Sequence, residues 1–241
     1  MRDRAFQLRT VTVGDEPAAW ARAGFAMNGS TTRIGSTTIV CDPGNTRGIL
    51  HVHIDGLDEP IDGLPIGRGD RPPTPDTTSG STVHPNQVTG FDHLVVMSPA
   101  IGRTSTALER LGLQKRRTRA FTAGNQQRRQ DFFWLGDVIL EVVGAVDERV
   151  PDGNAVPHEP AHFWGLALEC EDLDAAAAAL GDRLGRIKDA VQPGRRIATV
   201  RTRDLDVSVP IALMSRHLRS EQPSEPGHQY DPRRCDDPSS C

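Results

Sequence analysis

The stretch GFDHLVVMSP, residues 90–99, decides how this chain is read. Leu94, Val95, Val96 and Met97 form a short apolar run bounded by polar residues, the signature of a buried strand. His93 stands at its entrance. A histidine there is a metal ligand, a satisfied core residue or the remnant of a lost site. Working outward, residues 101–112 place Ile101, Leu108 and Leu111 at helical spacing. Strand candidates follow at 113–121, 127–135 and 137–144, the last two joined tightly at Gly136 and Asp137. The order then recurs. FWGLALEC (163–170) reads as a strand, and DLDAAAAALGDRL (172–184) as an Ala-rich helix with Leu173, Leu180 and Leu184 on one side. Further strands are expected near 186–190, 195–202 and 206–214. Each copy reads strand, helix, strand, strand, strand, and such a repeat lets one open sheet be covered by a second.

The N-terminal region carries a worn third copy. AFQLRTVTV (5–13) is its strand and DEPAAWARAGF (15–25) its helix. TTRIG followed by STTIVCD parallels FFWLG followed by DVILEVV, with Gly35 matching Gly136. RGILHVHIDGL (47–57) adds a strand that could begin a truncated fourth copy. The expected organisation is therefore a degenerate βαβββ-like module over 1–65, a Pro/Gly/Ser/Thr linker over 66–87, a paired βαβββ domain over 88–215, and a disordered tail over 216–241.

With 241 residues, 37% hydrophobic and 25% charged, the chain can build a globular core. A net charge of −4 and a pI near 6.1 give no concentrated basic face for nucleic acid. The N-terminus lacks the apolar core of a signal peptide, and no apolar run is long enough to span a membrane. The expectation is a soluble, cytoplasmic protein without nucleic-acid or membrane partners. Cys41 and Cys170 lie in strand-like runs and read as small apolar residues, while Cys235 and Cys241 fall in the polar tail. None has the C-x-x-C spacing of a zinc site. Phosphate loops and the G-x-S-x-G elbow are missing, against a nucleotide enzyme or serine hydrolase.

DHLVV (92–96), ALERLGL (107–113) and RRQDFFWLGDVILEVVG (128–144), set within the repeat, resemble the glyoxalase/bleomycin-resistance/extradiol-dioxygenase superfamily, also called vicinal oxygen chelate proteins. The resemblance covers residues 90–215 well and 1–65 by topology. It implies an α+β fold of tandem βαβββ modules whose curved mixed sheet forms a cup. It also implies a divalent metal (Zn, Ni, Mn or Fe) held by first and last strands of the modules. Carried over, the metal ligands are His93 and Glu141, with Glu141 also the catalytic candidate.

Alternation puts Glu141 with Ile139 and Val143, opposite Leu140 and Val142. A carboxylate on an apolar strand face needs a partner, and His93 is a natural one. The second copy differs: aligning AIG (100–102) with DLD (172–174) sets Gly165 opposite His93, and aligning ILEVV with PIALM sets Ala212 opposite Glu141. The N-terminal copy offers Val40 there. The metal site is thus incomplete unless His162, His51, His53 or a loop residue finishes it.

Arg128 and Arg129, with Arg195 and Arg196 at a comparable place in the second copy, are candidate anion holders, Arg129 and Arg196 foremost, against the alternative of a solvated strand edge. Phe132, Phe133 and Trp134, with Phe163 and Trp164 in the second copy, are candidate walls of an apolar ligand pocket, Phe133, Trp134 and Trp164 foremost, though alternation sends about half of such aromatics into ordinary core. HVH (51–53) reads as an exposed strand face, and His84, His158, His217 and His228 fall in linker, loop or tail. Three functions stay open. One is a small-molecule-binding cup that is metal-free or has an incomplete metal site, as the bleomycin-resistance branch implies. Another is a divalent-metal-dependent lyase, isomerase or dioxygenase acting on a small oxygenated substrate. The third is a purely structural role in pairing chains, and a homodimer is open as an arrangement.

Overall fold

The computed structural model describes residues 6–67, 82–146 and 159–216. Most of the expected linker and all of the expected tail after Arg216 lie outside them. The described residues from 88 onward build one eight-stranded mixed sheet from two βαβββ modules. The first comprises β5 (Val88–Met97), α2 (Ile101–Arg110), β6 (Lys115–Ala123), β7 (Gln126–Leu135) and β8 (Val138–Ala145). The second comprises β9 (His162–Cys170), α3 (Leu173–Leu180), β10 (Lys188–Asp189), β11 (Arg196–Thr199) and β12 (Ile211–Ser215). Strand order is β10-β11-β12-β9-β5-β8-β7-β6, so the modules meet where β5 and β9 pair antiparallel. Each module's first and last strands run parallel, β5 with β8 and β9 with β12.

Parallel neighbours need a crossover, and the helices provide it. Ile101, Thr104, Ser105 and Leu108 of α2 are buried against one face of the sheet, as are Leu173, Ala176 and Leu180 of α3. Asp172 caps α3, accepting from the backbone N–H of Asp174 and Ala175 at 2.9 and 3.0 Å. Helix α2 stops at Arg110, so Leu111, expected on its apolar face, is left 48% exposed and Leu113 is buried in its place. In β8, Leu140 and Val142 point into this core and are fully buried.

The N-terminal segment forms a separate four-stranded sheet from β1 (Gln7–Val13), β2 (Thr31–Ile34), β3 (Thr37–Cys41) and β4 (Ile49–Asp55), in the order β2-β3-β1-β4. Helix α1 (Pro17–Arg22) follows β1. β1 runs parallel to β3 and antiparallel to β4, as β5 does to β8 and β9. β4 therefore stands where a fourth module's first strand would be. Asp15 ties this unit to the second module. Fully buried, it accepts from the Trp20 indole at 3.1 Å and from the Ser208 backbone N–H at 3.0 Å. Asp62 joins it to the first through Arg103, at 2.6 Å, and the Thr104 hydroxyl.

His84 and Asn86 lie within the stretch expected to be linker, yet both are buried. The His84 ring accepts from the Ala26 N–H at 3.1 Å and contacts the Arg33 carbonyl at 2.8 Å, so its polar atoms are satisfied on both sides. Among the described residues no helix is long and apolar enough to cross a membrane.

Candidate functional site

A cleft of about 270 Å³ opens on the sheet face opposite the helices. Its floor comes from β5 and β8, one wall from β6 and β7, the other from the second module. A break in the β5–β9 register between Phe91 and His93 leaves Asp92 without an opposite residue. Such a bulge lets two successive side chains address one face, and both Asp92 and His93 line the cleft. His93 lies between two carboxylates, its Nδ1 2.7 Å from Asp92 Oδ1 and its Nε2 3.3 Å from Glu141 Oε2. Glu141 is 7% exposed and also accepts from the Gln130 side-chain amide. The amide has to present its N–H to the carboxylate, which leaves Gln130 Oε1 buried without a partner among the described residues.

Asp92 is held from behind by Arg195, whose Nη1 lies 2.6 Å from Asp92 Oδ2. Arg195 is almost fully buried, with its Nε donating to the Ser215 carbonyl at 2.7 Å and Nη1 to Gln192 Oε1 at 2.6 Å. Burial pushes the Asp92 carboxyl up, but His93 and Arg195 together outweigh it and hold the group below the usual carboxylate range.

Sequence reasoning and geometry part company over the walls. Phe133 points into the core at 0% exposure, because β7 alternates and Phe132, its neighbour, takes the cleft side. Trp134 shares the Phe132 side of β7 and lies under Arg116, 4.6 Å from ring centroid to guanidinium, without lining the cleft. Trp164 sits at the register break near the start of β9 and is 50% exposed, away from the cleft. Arg129 faces the helix side and donates to the buried Asp131 at 3.1 Å. Arg196 pairs with Asp174 at the start of α3, at 2.8 Å, while its neighbour Arg195 is the one turned toward the site.

Arg116, Arg117 and Arg119 of β6 line the cleft and were missed. KRRTR looks like a solvated edge in the sequence. The only available signal was that its alternate residues would face the Gln130 and Phe132 side of β7, to which Arg119 and Arg117 are paired. Val191, Ile197 and Met214 close the far wall.

The ladders give the second module's counterparts directly. Glu141 pairs with Val95, two residues beyond His93, and Ala212 pairs with Ala167, two beyond Gly165. In the small sheet Val40 pairs with Thr12, which pairs with His51, so His51 holds the topological place of Gly165. His51 and His53 are half-buried on that separate sheet and His162 is exposed, so none joins His93 and Glu141 in the cleft.

A resident divalent metal does not fit this donor set. Gly165 and Ala212 offer no ligating side chain, and a Cβ at Gly165 would meet the Pro210 carbonyl oxygen at 2.9 Å. Asp92, His93 and Glu141 meet in the cleft, but the two carboxylates face opposite nitrogens of the His93 ring, and among the described residues no three His, Cys, Asp or Glu side chains are arranged to hold one ion. Burial pushes the Cys41 thiol up to about 12 and the Cys170 thiol up to about 11, far from thiolate chemistry.

Comparison with solved structures matches this architecture. A triple variant of 4-hydroxymandelate synthase from Streptomyces coelicolor superposes with a TM-score of 0.57 at 13% identity, over 87% of this chain and 92% of that one. This is the vicinal oxygen chelate fold. A xylose isomerase-like TIM barrel/4-hydroxyphenylpyruvate dioxygenase fusion protein matches with a TM-score of 0.55 at 13% identity, over 90% of this chain and 49% of that one. The chain thus spans about half of the fusion protein. Methylmalonyl-CoA epimerase from Mycobacterium tuberculosis gives a TM-score of 0.40 at 18% identity, over 58% of this chain and 93% of that one. No protein-family model matches the sequence, and no curated protein matches it.

Proposed function

We propose that this glyoxalase-like chain is a small-molecule-binding protein whose cup works without a resident metal. His93 and Glu141 form the polar floor, and Phe132, Ile139, Ile197 and Met214 supply apolar contact. The reading rests above all on Gly165. This residue, the second module's equivalent of His93, carries no side chain, and the Pro210 carbonyl stands where one would begin. With Ala212 as the equivalent of Glu141, the second module adds no donor to the polar floor. A carboxylate and an imidazole in a mostly apolar cleft orient a ligand through a few directed hydrogen bonds.

The test is elemental analysis of protein purified without chelators, for wild type and His93→Ala. Divalent metal should stay far below one equivalent in both, even after loading. Thermal-shift screening should find ligands whose effect weakens in Phe132→Ala. Near one equivalent of Zn, Ni, Mn or Fe that disappears in His93→Ala would overturn the proposal. The metal-dependent lyase, isomerase or dioxygenase would then replace it, with Glu141 as the catalytic candidate.

A further inference from the structure

Resting on the cup as a small-molecule site, we infer that its ligand is an organic anion. Its carboxylate or phosphate group is held by Arg117 and Arg119 at the mouth, and its apolar body lies against Phe132, Ile197 and Met214. Arg9, Arg47, Arg103, Arg129, Arg195, Arg196 and Arg216 each lie within ion-pair distance of a carboxylate, and Arg22, Arg33 and Arg183 donate to backbone carbonyls. Arg116, Arg117 and Arg119 have neither kind of partner among the described residues, and, unlike Arg110, Arg128, Arg186, Arg201 and Arg203, which share that trait, they line the cleft.

Aromatic faces hold these guanidiniums instead. Arg117 lies 4.7 Å from the centroid of Phe132, Arg116 4.6 Å from Trp134, and Arg119 5.9 Å from Phe121. Stacking of this kind orients a guanidinium while leaving its edge donors free. A register break between Lys115 and Arg117 disturbs the alternation of β6 and lets Arg116 join Arg117 and Arg119 along the cleft.

The acids in the same cleft do not neutralise them. Asp92 is engaged by Arg195 and His93, and Glu141 by Gln130 and His93. Three like charges gathered at one concave mouth repel one another and focus a positive potential on the cavity. An anion relieves that repulsion and receives charge-assisted hydrogen bonds in the fork geometry that suits carboxylate and phosphate alike. Val191, Ile197, Met214, Ile139 and Phe132 then favour a ligand with an apolar body over a bare inorganic ion. The volume, about 270 Å³, limits that body to a small molecule.

The experiment is ligand-detected NMR on the full chain. The probes are a fragment library in matched sets: aryl and alkyl carboxylates, the corresponding phosphate monoesters, and neutral amides. Anions should dominate the hits, and their affinity should fall roughly tenfold or more in Arg117→Gln/Arg119→Gln at constant ionic strength. Any amide hits should be unaffected. Preference for carboxylates identifies an organic acid as the ligand source, and preference for monoesters a phosphorylated metabolite. Equal hit rates for anions and amides, or anion binding unchanged in the double variant, would overturn the inference while leaving the cup intact. No hits of any class would overturn the cup reading and the inference with it.

Discussion

Replacing Arg195 by Met removes the cation from a buried pair whose geometry sets the size of the loss. Arg195 Nη1 lies 2.6 Å from Asp92 Oδ2, with side-chain exposures of 1% and 11%. Breaking a buried pair by deleting one partner costs about 3–5 kcal/mol, because the other charge stays behind. Asp92 keeps His93 at 2.7 Å, so the lower end applies, about 3 kcal/mol at pH 7. For a chain of this size that corresponds to a fall of roughly 6–12 °C in melting temperature. The pH dependence gives a second reading. Asp92 is held below its ordinary 3.8, so its contribution is present above that value and lost as pH falls through the folded-state value. Without Arg195 that depression weakens, and the gap between wild type and variant should narrow below about pH 4. Guanidinium denaturation at pH 7 and through the acid range measures both. A loss under about 1 kcal/mol, or the same loss in an Asp92→Asn background, would refute the reasoning, since coupled neighbours should not be additive.

Phe133→Ala should cost about 3–5 kcal/mol of stability in denaturant titrations, whereas Phe132→Ala should cost far less and act mainly on ligand affinity. Gly165→Ala should destabilise by about 1–3 kcal/mol, because the added Cβ meets a backbone oxygen that cannot swing away; thermal melts decide this. Burial pushes the His84 imidazole below its ordinary 6.5, so the neutral ring is favoured in the folded chain. Stability from this group should be full above about pH 6.5 and decline as pH falls toward the folded-state value. His84→Leu should flatten that part of the profile, with His51, shifted the same way by burial and by His53, supplying what slope remains.

The repeat, the strand order within each copy and the facing of Glu141 were legible because all three follow from periodicity. Pairing registers agree with the motif alignment that set Gly165 and Ala212 opposite His93 and Glu141. Side-chain parity was harder to read. Phe132 and Phe133 are chemically identical neighbours, and only the register of β7 against β8 tells which enters the cleft. Arg195 and Arg196 pose the same problem, settled by β11 pairing with β12 and by Asp174 waiting on the other side. Bulges at Asp92 and Arg116 break alternation outright, so no period-2 count could bring those residues to the site. His84 was passed over because its surroundings are rich in turn formers. Its burial depends on the Ala26 N–H and the Arg33 carbonyl, both more than fifty residues away.

The closed seam at Gly165 bears on anyone wishing to install new chemistry in this cup. Introducing a histidine there asks the Pro210 backbone to retreat, which disturbs the β9–β12 junction before any ion can arrive. Ala212 is the better point of entry. It pairs with Ala167 as Glu141 pairs with Val95, and it already bears a Cβ that the fold accommodates. A carboxylate built outward from Ala212 would approach the polar floor from the opposite module. The route to a three-donor centre in this scaffold therefore starts on the last strand of the second repeat.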